Sequence, residues 1–156
     1  MDQWFTGSGK EVKFDDIIYQ IKEHSFANGM VYVGTDSFFK KMDCIFSTAI
    51  CLYGADNQSG GRYFFKKTKF SKKKFPVLSL RMLKEAENTI NMAKEIVDRC
   101  SWTNIDLHLD ISSSDKDEGT SHLANMLIGY VKGSGFNCKV KPDAFAAASL
   151  ADKHSK

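Results

Sequence analysis

Near residue 76 the sequence changes its period, and that change limits the folds open to it. Upstream lie three runs of β-branched and aromatic residues with only short turns between them. Met30 to Gly34 runs into Thr35-Asp36-Ser37, Asp43 to Tyr53 follows, and Asn57-Gln58-Ser59-Gly60-Gly61 turns the chain into Arg62 to Phe70. Beyond Pro76, Met82, Ala86, Ile90, Ala93 and Val97 recur at three or four residues, the stripe of a long helix. Ile105, Leu107, Leu109 and Ile111 then alternate with Asp106, His108 and Asp110, as in a strand. Ser121 to Lys132 reads as a helix ended by Gly133-Ser134-Gly135, Phe136 to Lys141 as a short strand, and Ala144 to His154 as a last helix. Ahead of everything, Phe14, Ile17, Ile18 and Ile21 predict a helix over residues 13 to 25. Three strands in succession read as an antiparallel meander, and the βαβα half implies right-handed crossovers with parallel pairing. The expectation is an α/β fold with a mixed five-stranded sheet flanked by helices.

A chain of 156 residues is enough for one domain, so residues 1–156 are expected to fold together, with 1–29 an N-terminal extension and helix packed on the rest. The most apolar run, Ala144 to Ala151, falls short of a membrane span, and Met1-Asp2-Gln3-Trp4 lacks the basic start of a signal peptide. Cys44, Cys51, Cys100 and Cys138 form no CxxC pair and read as reduced core thiols, which points to the cytoplasm and away from a zinc site.

Charge is uneven. From Arg62 to Lys84 there are nine basic residues and no acidic one, whereas the net charge of the whole chain is only +3. Such a stretch on an otherwise acidic body suggests a localised contact with a polyanion; the plainer account is that lysines keep an edge strand soluble. Lys66, Lys67, Lys69, Lys72, Lys73 and Lys74, with Arg81, are the expected nucleic-acid contacts. They alternate with Phe64, Phe65, Phe70 and Phe75, at least half of which should be core residues. Gly7-Ser8-Gly9-Lys10 does not meet the phosphate-loop pattern, since Glu11 stands where Ser or Thr is required.

Two acids lie at strand ends: Asp36 closes the first strand and Asp110 is near the end of the fourth. If those strands are parallel neighbours, both carboxylates sit where open α/β sheets place their sites. Gly34, on the face of Asp36, leaves room for something to approach. Either acid alone is compatible with a turn or a strand cap. Together they suggest a hard cation such as Mg²⁺, which prefers oxygen donors.

Tyr32-Val33-Gly34-Thr35-Asp36-Ser37 resembles the first-strand "TDGS" signature of the ribonuclease H-like superfamily, with Ser37 directly after the acid where that signature has glycine. Ala148-Ser149-Leu150-Ala151-Asp152-Lys153 is similar to its C-terminal "NxxAD" helix motif. With Arg81 and Glu85, His108-Leu109-Asp110-Ile111 and Lys141-Pro142-Asp143, the resemblance is closest to the bacterial YkuK-type branch and covers nearly the whole chain. It implies a ribonuclease H-like fold and a carboxylate set of Asp36, Glu85, Asp110 and Asp152. Periodicity leaves Glu85 and Glu87 on opposite borders of the helical stripe, and resemblance favours Glu85. Asp143 competes with Asp152 as a ligand.

The expected chemistry is phosphodiester cleavage with Mg²⁺ or Mn²⁺, two ions ~4 Å apart sharing Asp36 and the scissile phosphate. Ser37, His108, Lys153 and His154 are possible auxiliaries, although a packed His108 and a solvated His154 are the simpler accounts; His24 and His122 read as structural. The partner would be RNA, DNA or a hybrid, with no membrane and with a homo-oligomer possible. A non-catalytic nucleic-acid-binding module and a protein-interaction domain, self-associating through the first helix, are the alternatives.

Overall fold

The computed structural model describes residues 3–111, 118–141 and 143–146. Among them are seven strands and three α-helices. The strands are β1 (Trp4–Thr6), β2 (Glu11–Val12), β3 (Met30–Lys40), β4 (Asp43–Tyr53), β5 (Arg62–Ser71), β6 (Asn104–His108) and β7 (Asn137–Lys139); the helices are α1 (Phe14–Phe26), α2 (Leu78–Arg99) and α3 (Glu118–Gly133). All seven strands join one sheet in the order β2-β1-β5-β4-β3-β6-β7. The meander β3-β4-β5 is antiparallel, and β3-β6-β7 is parallel.

The expected strand count of five is therefore corrected to seven. The two additional strands are too short to show a period. The Gly7-Ser8-Gly9-Lys10 segment that joins them is a hairpin turn, with Thr6 N–H donating to Lys10 O at 2.8 Å and Gly9 N–H to Thr6 O at 2.9 Å. Among the described residues β1 pairs with β5 at Phe64, Phe65 and Lys66, and none of them pairs with β5 on that side from Lys67 onward.

A second correction concerns Asp36, which does not close its strand. β3 continues four residues past it, and Asp36 lies inside an unbroken antiparallel ladder with β4. Pairing partners override the local turn signal of Thr-Asp-Ser. The extra length, ~13 Å, carries Phe39 and Lys40 beyond the acid to a two-residue turn where Lys41 has φ 56°.

α1 has no side-chain N-cap, but Asp15 and Asp16 lie in its first turn, where the helix dipole favours negative charge. It ends where Asn28 adopts φ 63°. Gly29 follows, and a Cβ there would lie 2.1 Å from His24 Nε2, so only glycine permits the buried imidazole. His24 Nε2 lies 2.9 Å from Met30 O and 3.1 Å from Tyr53 O, tying the helix end to both strands. Its structural role is as expected.

All three helices bury their apolar stripes against one sheet face. Ile17, Ile18 and Ile21, then Ala86, Ile90, Ala93 and Ile96, then Ala124, Leu127 and Val131 pack with Val31, Val33, Ile50, Leu52, Phe64 and Leu107. The opposite face carries a smaller cluster, where Phe145 and Ala146 meet Ala49, Cys51, Tyr32, Tyr53 and Tyr63. The expected helix over 144 to 154 is described only to Ala146. No helix among the described residues is long and apolar enough to cross a membrane.

Candidate metal and nucleic-acid site

Alternation along β3 divides its residues between the two faces. Val33, Thr35 and Ser37 look toward α2, while Tyr32, Gly34 and Asp36 look the other way. On the helix side, Thr89 donates to Thr35 Oγ1 at 2.9 Å, and Thr35 and Thr48 hydroxyls lie 3.1 Å apart. Four residues earlier on α2, Glu85 accepts a hydrogen bond from the Ser37 hydroxyl. These contacts place Glu85 directly beneath the acid-bearing stretch of β3.

On the other side, the parallel pairing sets Gly34 opposite His108. Carried two residues further, that register sets Asp36 opposite Asp110 on the same face. β6 itself ends at His108, so Asp110 lies just past the strand and not within it as the alternation predicted. Its backbone keeps the strand direction, because Leu109 N–H donates to Lys139 O and Lys141 N–H to Ile111 O, both at 2.9 Å. Lys141 Nζ lies 2.9 Å from Asp110 Oδ1. That register puts Asp36, within β3, and Asp110, just past β6, on one face toward the carboxyl end of the parallel pair, the end at which such sheets place their sites.

Burial pushes the Glu85 carboxyl up to about 8; the Ser37 hydroxyl and Arg81 oppose this, while Asp36 and Asp110 add to it. Burial is the main cause, and the smaller contributions of Asp36 and Asp110 show that Glu85 lies within electrostatic range of both. Glu87, by contrast, is on the outer surface with Lys84 Nζ at 3.3 Å. The arrangement thus sets Glu85 on the helix side of the sheet beneath Ser37, within electrostatic range of the aspartates, and leaves Glu87 outside. The Arg81 guanidinium stacks on Phe39 at 4.7 Å, close to Ser37 in sequence.

Asp143 is exposed and follows Lys141 at this same end, its N–H donating to Val140 O at 2.9 Å. Asp152, Lys153 and His154 lie outside the described residues. Among the described residues no group of three or more His, Cys, Asp or Glu stands ready-made as a metal cage.

His108 is fully buried. Its ring sits 4.9 Å from Tyr32 and 4.8 Å from Phe145, and Nδ1 accepts the Ala146 N–H at 3.1 Å. That bond puts the ring proton on Nε2. Burial holds its pKa down to about 4, so the ring is neutral and acts as a backbone acceptor. His108→Leu should lower the melting temperature by a few degrees at most, because it strands the buried Ala146 N–H, worth ~1–3 kcal/mol, while removing a ring Nε2–H that itself has no partner among the described residues. His108→Asn, whose Oδ1 can replace Nδ1, should recover part of the loss. Equal losses in both variants, read by thermal unfolding, would show that packing alone matters.

The basic residues separate by face and end. Lys67 and Lys69 share the face of Asp36, since Lys67 is opposite Ser47 and Ser47 is opposite Asp36. Lys66 points to the helix side, with Nζ 5.4 Å from the Trp4 ring. Lys72, Lys73 and Lys74 form a 3-10 turn at the end of β5, tied to the β3–β4 turn by Lys72 N–H donating to Met42 O at 2.9 Å. They therefore lie at the same sheet end as the acids. Phe64, Phe65 and Phe75 are buried, as expected of at least half of these rings. A cleft of about 650 Å³ opens at the opposite end, between Lys94, Asp98, Asn104, Asp106 and Ser134, away from the acids.

Sequence reasoning does not reveal Ser47, whose position beside Asp36 depends on strand register, or the pairing of Lys141 with Asp110, although Lys141 adjoins Pro142-Asp143. A family model described as ribonuclease H-like matches residues 12–156. No curated protein and no solved structure matches the chain.

Proposed function

The chain belongs to the ribonuclease H-like family, of the YkuK type, and on that premise we propose that it is a metal-dependent nuclease acting on phosphodiester bonds of RNA or DNA. The observation that supports this reading is the parallel register of β3 and β6, which pairs Gly34 with His108 and, carried two residues on, brings Asp36 and Asp110 to one face, with Glu85 on α2 close enough for both aspartates to raise its pKa. Carboxylate oxygens alone suit Mg²⁺ or Mn²⁺ rather than softer ions. Asp36 and Asp110 would hold the cation and Glu85 would join on losing its proton, with Asp143 and Asp152 as further ligands. When bound, one or two such ions supply an activated water and charge neutralisation at the leaving oxygen.

The remaining groups have legible tasks. Ser37 holds the Glu85 carboxyl, and Lys141 holds Asp110 while it waits for a cation. Lys67 and Lys69 on the acid face, and Lys72, Lys73 and Lys74 at the acid end, would bind phosphates on either side of the reacting one. Replacing Lys67 and Lys69 by Gln should weaken binding to single-stranded nucleic acid and flatten its salt dependence by a log-log slope of about 1.4. Lys66→Gln should change it far less. Fluorescence anisotropy over a salt series reads both, and equal effects would refute this sorting by face.

A second reading is a nucleic-acid-binding module that does not cleave. It is favoured by a cluster whose negative charge is already largely offset without a cation, with Glu85 protonated and Asp110 paired to Lys141. End-labelled single-stranded, duplex, hybrid and branched substrates, each incubated with Mg²⁺, Mn²⁺ or EDTA, separate the two. Metal-dependent cutting supports the nuclease; tight binding without cutting in any metal supports the module.

A further inference from the structure

Ser47 is fully buried, and its hydroxyl has no hydrogen-bond partner among the described residues. A buried hydroxyl in that state is costly, and native proteins rarely leave one without a reason. The adjacent Thr48 shows the usual solution, its hydroxyl meeting that of Thr35 at 3.1 Å. Ser47 lies on the other face, directly opposite Asp36 on one side and Lys67 on the other. Residues directly opposite in an antiparallel pair have Cβ atoms ~5 Å apart, so rotation about one bond brings the Ser47 O–H within reach of the Asp36 carboxylate.

We propose that Ser47 is a positioning residue for Asp36: its hydroxyl is held in reserve and donates to the carboxylate once that group turns to hold a cation. This rests on the metal-holding role proposed above for Asp36. A donor behind a ligating carboxylate fixes its orientation, and removing one typically costs 10–100-fold in metal affinity. An alanine would relieve the unsatisfied hydroxyl of the metal-free state and would therefore not weaken the fold.

The test is calorimetric titration of the full chain with Mn²⁺, alongside melting curves in EDTA, for wild type, Ser47→Ala, Ser47→Thr and Asp36→Asn. Ser47→Ala should bind Mn²⁺ 10–100-fold more weakly, with a melting temperature in EDTA equal to or above that of wild type. Ser47→Thr, which keeps the hydroxyl, should stay within a few-fold of wild type. Wild-type affinity in Ser47→Ala, while Asp36→Asn has lost binding, overturns the role of Ser47 and leaves that of Asp36 standing. A lower melting temperature in EDTA for Ser47→Ala also overturns it, because the hydroxyl would then be serving the fold. Unchanged binding in Asp36→Asn removes the premise and the proposal together.

Discussion

Asp36→Asn is expected to reduce metal-dependent cleavage by three orders of magnitude or more, ~4 kcal/mol of barrier, while leaving the fold intact. Asparagine has nearly the shape of aspartate, and Asp36 is only partly buried, so the ladder from Met30 to Lys40 has no cause to shift. What is lost is the negative charge that would hold the cation beside Asp110. Circular dichroism and the melting temperature should match wild type, and gel-resolved cleavage of end-labelled substrate should be absent. Asp110→Asn should act in the same direction and also remove the ion pair with Lys141. Cleavage by Asp36→Asn at a tenth of the wild-type rate or faster would be incompatible with a site centred on these aspartates.

The second large effect is on stability. Glu85 titrates near 4.5 when unfolded and is raised to about 8 when folded, chiefly by burial. Folding therefore favours its protonated form. The stability associated with that form is fully present below about pH 4.5 and is lost as pH rises through about 8. Each pH unit in between costs at most about 1.4 kcal/mol, so the total reaches several kcal/mol as an upper bound. In EDTA, the wild-type melting temperature should fall from pH 5 to pH 8.5, and Glu85→Gln should be flatter and more stable at the alkaline end. Parallel curves for the two proteins would mean that Glu85 ionises freely. Mn²⁺ added at pH 7 should also release protons into a weakly buffered solution, because a ligating carboxyl must give up its proton.

The fold was legible where periodicity is long. The stripe from Met82 to Val97 and the alternation from Ile105 to Ile111 each bury a continuous face, so their periods survive as α2 and as β6 with its extension. β1 and β2 were not legible, because three residues and two residues carry no period. The end of β3 was misjudged for a different reason: Thr-Asp-Ser favours a turn locally, but eleven residues of β4 pair with it across the whole ladder.

Local sequence alone determined that this chain is an α/β protein with a meander and a βαβ half, and it marked Asp36 and Asp110 as acids near strand ends. It also isolated the basic stretch. Tertiary structure decided the rest, because only register and packing bring distant residues together. Register set Asp36 beside Asp110 and opposite Ser47; the rotation of α2 over Ser37 turned Glu85 inward and left Glu87 at the surface with Lys84. The alternation of β5 sent Lys67 to the acid face and Lys66 to the other. A side chain's type is written in the sequence, but its partners depend on pairing offsets of one residue, and a one-residue slip moves every side chain to the opposite face.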